Sequence, residues 1–345
     1  MSELADVAII GGGIIGLSIA WRLAQAGAEV TVYDVGVLGG EATWAGAGML
    51  APGGEIEEHT PWLDLATESL ARYPSFVDEL NEAGASRIDF RICGAFDVAF
   101  TGAGAADLDA RAARQIEIGI YSEQFDPIRV PGLRPGATAA RYYPNDAVVN
   151  PREVTAALRG ACERLGVRLR EHTRIECIGD GDPAPHCVLC AGAWSSQIQV
   201  LRNGEPVPIP RVEPVRGHLL SFAGQPNFAD TILRHGNEYL LRRASGTVIA
   251  GSSTERVGFE RKVDVDIAQD IAERAGYLVP VLANRGYTVW NGFRPAPETG
   301  RPVIEQVPGT DVWLAYGHYR NGILLAPATA DLVSSKIIAA NSRTD

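Results

Sequence analysis

The 345-residue sequence predicts an α/β protein in which a Rossmann-like nucleotide-binding domain, discontinuous in the chain, carries a smaller, mainly antiparallel β domain. Three observations predict it. A strand, glycine loop, helix, strand and acid follow one another at the start; a buried strand enters a helix through an Asn-Gly turn near the end; and the stretches between are rich in β-type residues. With 46% hydrophobic residues and mixed charge, the chain can bury one large core or two intimate ones.

Residues 6–10 (Asp-Val-Ala-Ile-Ile) read as a short apolar strand, and Gly11-Gly12-Gly13-Ile14-Ile15-Gly16 then opens a helix running through Trp21. G-x-G-x-x-G falls on Gly11, Gly13 and Gly16. The first permits the turn, the second lets backbone touch a pyrophosphate, and the third lets helix pack on strand. Residues 30–33 form the next strand, closed by Asp34, where a carboxylate would hold a ribose diol. Together these specify a dinucleotide, and the loop alone does not distinguish FAD from NAD.

Residues 39–50 are glycine- and alanine-rich, small enough to admit a large flat ligand against the backbone. Helical periodicity covers 67–83, then strands at 96–100 and 142–149 flank a helix-prone stretch at 105–118. A helix at 154–165 and strands at 168–171 and 187–191 follow. The section 214–251 is β-rich, 268–279 helical, and 292–302 a long loop. Residues 312–316 are a buried strand. Gly317-His318-Tyr319-Arg320-Asn321-Gly322 turns into the last helix, which admits Pro327 in its first turn. A helix start carries roughly half a positive charge, which suits a ring or phosphate bearing negative charge. The parts of one nucleotide site therefore come from 1–84, 141–205 and 291–345, leaving 85–140 and 206–290 for the covering β domain.

Other chemistries find no framework. A net charge of −11 without a basic block argues against nucleic acid and anionic membrane as partners. Glu3 and Asp6 stand where a signal peptide needs basic residues, so a cytoplasmic protein is expected. Five irregularly spaced cysteines suit reduced thiols, and Cys187-Val188-Leu189-Cys190 reads as a buried strand rather than a metal or redox pair. No metal site is expected. G-x-S-x-G is absent, and the two lysines, Lys262 and Lys336, sit in polar contexts unsuited to a Schiff base.

Residues 11–21, 45–52, 188–195, 291–295 and 317–329 together resemble the D-amino-acid oxidase superfamily of FAD-dependent oxidoreductases, most closely the glycine oxidases of thiamine biosynthesis. The resemblance covers nearly the whole chain and implies noncovalent FAD, no cysteine lying beyond Cys190 to bond it. On its terms the glycine loop from Gly11 to Gly16, with Ile14 and Ile15, holds the cofactor. Asp34 looks like the adenosine-ribose acid and Ile175 like the residue meeting the adenine. Thr43, Ala47, Gly48 and Met49 resemble the segment lining the flavin, Gly192 and Trp194 the second strand end of that domain. His318, Arg320, Asn321, Gly322, Ile323 and Leu324 resemble the turn at the flavin's pyrimidine edge.

For the substrate, Arg294 in Gly292-Phe293-Arg294-Pro295 matches the family arginine that clamps an amino-acid carboxylate, and its planar, permanently charged fork suits two oxygens. Tyr239 resembles the tyrosine sharing that carboxylate, Arg320 a second active-site arginine, and Thr254 a substrate-pocket position that is methionine in relatives. The resemblance implies oxidative deamination of glycine, sarcosine and small D-amino acids by hydride transfer to flavin N5. O2 would be the acceptor, giving H2O2 and an imine that hydrolyses to an oxo acid or passes to thiazole synthesis. A thiazole synthase partner and a homo-oligomer are expected on the same ground. Two alternatives stay open: a D-amino-acid or secondary-amine dehydrogenase that passes electrons to a quinone or protein, and a flavin-binding sensor without turnover. Lys262 matches an oxygen-activating lysine of sarcosine oxidases only loosely and, beside Arg261 and Asp264, reads as solvated.

Overall fold

The computed structural model describes residues 7–60, 62–84, 87–224 and 228–341, so Glu3 and Asp6 lie outside the described residues. Val7–Ile10 is buried throughout and pairs in parallel with Val30–Tyr33 on one side and His186–Leu189 on the other. Val312–Tyr316 extends this sheet in parallel, Arg168–Arg170 closes one edge, and the antiparallel Val303–Gln306 closes the other. Helices cover the central strands, which explains their unbroken apolar runs. Helix Ile14–Gln25 starts directly on the glycine loop and packs against Pro151–Arg164 and Gly322–Asn341, which in turn meet Leu63–Ala83. Trp21 meets Phe76 edge-on within this core, ring centroids 5.7 Å apart.

The C-terminal helix begins at Gly322, so Pro327 lies inside it rather than in its first turn. A proline there leaves the carbonyl four residues earlier without its amide partner. That carbonyl belongs to Ile323, and the buried Tyr73 hydroxyl donates to it. A side chain thus replaces the missing backbone bond. Residues 322–340 are long and apolar enough by composition to cross a bilayer, yet 56% of the apolar window is buried inside the protein.

The second sheet has eight strands, in the order Tyr287–Pro297, Val212–Phe222, Val248–Gly251, Glu238–Arg242, Ile232–His235, Ala95–Ala99, Ala139–Tyr143 and Glu123–Phe125. Only Ile232–His235 and Ala95–Ala99 pair in parallel. One face packs Leu220, Phe222, Leu240 and Val248 against helix Val265–Leu278. The opposite face looks toward the first sheet.

Two stretches depart from expectation. Residues 142–149 are not one strand: Ala139–Tyr143 joins the large sheet, and Ala147–Val149 pairs with Met49–Leu50 and Phe90–Ile92. Pro144-Asn145 makes the break between them. Residues 292–297 are strand rather than loop, paired along their length with Val212–Phe222. Gly292, Pro295 and Pro297 look like breakers in sequence, but this is an edge strand, where proline's missing donor faces no second neighbour. The expected division at residue 291 falls inside that strand.

Candidate active site

Between the sheets lies a cavity of about 710 Å³. Its floor is the carboxyl end of the parallel strands, where open α/β sheets bind ligands, and its wall is the inner face of the eight-stranded sheet. Gly11, Gly13, Ile14, Ile15, Asp34, Thr43, Ala47, Gly48, Met49, Ile175, Gly192 and Trp194 all line it. His318, Arg320, Asn321, Gly322 and Ile323 line it from the final turn, and Tyr239 and Arg294 from the wall. Residues more than 300 positions apart thus share one cleft.

Three of the named positions do not reach the lining. Gly16 is buried, and a Cβ there would stand 2.0 Å from the Gly11 carbonyl oxygen, so its part is helix-to-strand packing. Leu324 is buried in the helical core instead of touching the cavity. Thr254, expected in the substrate pocket, is exposed; Ser252, two residues earlier, is buried and lines the cavity in its place. The strand ending at Gly251 sets that phase, and the position named through the resemblance falls two residues beyond the lining.

The nucleotide end is built from backbone. Gly11 has φ 110°, and a Cβ there would stand 2.4 Å from the Cys190 carbonyl oxygen. The two buried thiols in and just after strand His186–Leu189, Cys187 and Cys190, are pushed up by desolvation, Cys187 to about 11, as befits inert core cysteines. The first amide of helix Ile14–Gln25, that of Ile14, donates to Thr43 Oγ1 at 3.1 Å. Asp34 accepts from the Gly12 N–H and the Gly36 N–H, both at 2.8 Å, through different oxygens. Each oxygen keeps a second lone pair, so the carboxylate can shape the loop and still bind a diol. Two helix starts, a glycine turn too close for any side chain and a terminal acid that accepts make a set of groups that fits FAD. The cavity volume lies in the ordinary range for cofactor sites.

The opposite end is built from side chains. Arg234, Tyr239, Gly251, Leu219 and Trp290 are successive cross-strand partners, so they form one row on the inner face. Arg294 lies on the same face, its guanidinium over Gly217, where a Cβ would be 2.1 Å from Nη1. An isolated glycine inside a strand marks such a close approach. Nη1 donates to the Ser253 carbonyl at 3.1 Å and Nη2 to Ser252 Oγ at 2.9 Å. Arg320 pairs with Glu55 at 2.8 Å, Arg261 with Glu41 at 2.7 Å, and Arg234 with Asp97 and Asp146. Among the described residues Arg294 meets only neutral acceptors. Desolvation pushes its pKa below the ordinary value, opposed by nearby Tyr239, yet an arginine of this kind stays charged.

Tyr239 is buried, and desolvation raises its phenol, against the pull of Arg294, Arg320 and a hydrogen bond with Ser252. It therefore stays protonated and able to donate. Burial drives His318 down to about 4, so its ring is neutral beside Thr329 Oγ1 at 3.1 Å. Trp194 stacks on Phe259 with centroids 4.8 Å apart and meets Phe293 edge-on. Lys262 is exposed and absent from the lining. Sequence reasoning missed Glu55, Ser252, Arg234 and Arg261. Gly53-Gly54 before Glu55 was a usable signal: a Cβ on Gly54 would strike the Arg234 guanidinium at 2.4 Å.

The family model described as DAO, FAD dependent oxidoreductase, matches residues 6–336. The glycine oxidase of Pseudomonas putida is 33% identical, the alignment covering 99% of this chain and 96% of that protein. The bifunctional protein ThiO/ThiG of Synechocystis sp. is 34% identical over 98% of this chain but only 52% of its own length, so the chain spans about half of that relative. The crystal structure of glycine oxidase from Geobacillus kaustophilus superposes with a TM-score of 0.91 at 28% identity, covering 97% of this chain and 95% of that one.

Proposed function

The chain belongs to the FAD-dependent oxidoreductase family, and from that premise we propose that it oxidatively deaminates glycine and other small amino acids, sarcosine and small D-amino acids included, with O2 as acceptor. One observation carries the proposal: a cavity suited to FAD holds a guanidinium, that of Arg294, whose protein partners are all neutral. A buried cation in that state favours an anionic ligand, and a carboxylate fits its planar fork.

Two of the five Arg294 N–H groups are engaged by Ser252 and Ser253, which leaves three for carboxylate oxygens. Tyr239, protonated and in the same group, can donate one more bond to that carboxylate. Held there, the α-carbon is positioned, and removal of the amine from water beside the Arg294 cation favours its neutral form. The neutral lone pair is what allows the imine to form as the α-hydrogen departs. Bound FAD supplies the acceptor of the two electrons. The positive end of helix Gly322–Asn341 borders the cavity and favours negative charge developing there. No protein base is required.

We assign FAD to the six-stranded sheet with its helices, and the substrate wall to the eight-stranded sheet. The five free cysteines support a reducing, cytoplasmic setting. Similarity to proteins named ThiO/ThiG supports a place in thiamine biosynthesis, with the imine passed to thiazole synthesis.

A peroxide-coupled assay of the FAD-loaded protein across glycine, sarcosine, D-alanine and D-proline tests this directly. Peroxide formation with at least one of them is expected, glycine first. Turnover of an artificial electron acceptor without peroxide would replace the oxidase by a dehydrogenase, and no reduction by any of the four would remove amino-acid oxidation.

A further inference from the structure

The acceptors that hold Arg294 sit on an irregular segment, residues 252–264, whose only ladder contact is the bridge between Glu255 and Arg216. Left to itself such a segment would present the Ser253 carbonyl in many directions. One carboxylate at its centre removes that freedom. Glu255 Oε1 accepts from the Ser253 hydroxyl at 2.6 Å and from His218 Nδ1 at 2.8 Å, and Oε2 accepts from Arg216 Nε at 2.9 Å. Ser253 Oγ in turn accepts the His218 backbone N–H at 2.8 Å.

The tautomer of His218 follows from its neighbours. The Asp264 N–H points at Nε2 from 3.1 Å, so Nε2 is the acceptor and Nδ1 carries the hydrogen given to Glu255. Arg216 Nη1 donates to the carbonyls of Glu260 and Lys262 at 3.0 and 2.9 Å, tying down the far part of the same segment. Arg216 and His218 are buried, and both belong to strand Val212–Phe222, the hydrogen-bonded neighbour of the strand that carries Arg294. Strand, network and guanidinium thus form one chain of contacts.

We propose that Glu255, with His218 and Arg216, is the positioning residue for the Arg294 clamp, acting through Ser253 to aim the guanidinium at the substrate carboxylate. The inference rests on the function proposed above. Glu255 does not touch the substrate. Its effect falls on binding of the carboxylate, with the electron-transfer step left nearly as it was.

The test uses the full-length, FAD-loaded protein, with glycolate as a carboxylate probe that lacks the amine, followed through the visible flavin spectrum. Ser253→Ala removes the tether while keeping the carbonyl, and Glu255→Gln keeps the size and part of the acceptor set. Arg294→Ala is the reference. Ser253→Ala and Glu255→Gln should each raise the glycolate Kd and the glycine KM about five- to tenfold, the equivalent of one hydrogen bond. In both, kcat should stay within twofold and FAD affinity should not change. A merely structural role would lower Tm and FAD loading and leave KM in place, and that outcome overturns the inference. If Arg294→Ala weakens glycolate and the other two do not, positioning fails while the clamp stands. If Arg294→Ala itself leaves glycolate binding unchanged, the clamp fails and the inference falls with it.

Discussion

The two ends of the cavity are built by different means. At the end beside the glycine loop the protein offers backbone: Gly11, Gly13, the starts of two helices, and a single acid at Asp34. Across the inner face of the large sheet it offers long charged side chains, each placed by a strand register and by glycines that clear space for it. A backbone site tolerates almost no added atom, because its neighbours are main chain and cannot rotate away. A side-chain site tolerates removal of a group and loses only what that group did.

The sharpest way to break this contrast is at the backbone end. Gly11→Ala places a methyl 2.4 Å from the Cys190 carbonyl oxygen, at a φ of 110° that side chains seldom adopt. We expect protein that fails to fold or is purified without FAD, read as the ratio of visible flavin absorbance to protein. Full FAD content in that variant would contradict the backbone account. Arg294→Ala is the matching change at the other end. Charge-assisted hydrogen bonds are worth ~1.5–3 kcal/mol, so the KM for glycine should rise roughly 10- to 150-fold. FAD retention should be untouched, and loss of both together would erase the distinction between the ends.

Tyr239→Phe keeps the ring, which packs in the apolar patch with Leu219 and Ile249, and deletes only the hydroxyl. An increase in KM of about two- to tenfold is expected, smaller than that for Arg294. A larger effect than Arg294→Ala would make the tyrosine the primary anchor.

The smallest effect concerns how dry the last turn is. His318 is neutral when folded, with its pKa lowered from 6.5 to about 4, whereas unfolding returns the ordinary value. Between those limits the unfolded chain binds more protons, so stability is fully present above pH 6.5 and falls as pH drops toward 4. The Tm of the wild type should therefore decline more over that window than the Tm of His318→Gln. Parallel declines would mean the ring is solvated.

The same contrast explains what was legible in the sequence. Backbone recognition requires glycines at set intervals after a strand, so Gly11, Gly13 and Gly16, and the acid at Asp34, could be read directly. Side-chain recognition depends on registers between strands far apart in the chain. Arg294 and Tyr239 could be named only through a family resemblance, Ser252 and Arg234 could not be placed, and for Glu55 the Gly53-Gly54 pair before it is the one local signal. Thr254, named through the same resemblance, lies two residues beyond the lining position Ser252, because the end of the strand before it is fixed by the sheet and not by local sequence. Residues 292–297, the second half of the edge strand Tyr287–Pro297, read as part of a loop at 292–302 because prolines are tolerated only at an edge, and edge position is a property of the whole sheet.

The central claim is that Arg294 holds a carboxylate beside the FAD site. Anaerobic mixing of FAD-loaded protein with glycine or with methylamine, which differs from glycine by lacking the carboxylate, tests it most directly. Glycine should bleach the visible flavin absorbance and methylamine at the same concentration should not, whereas bleaching by methylamine at a comparable rate would contradict the account.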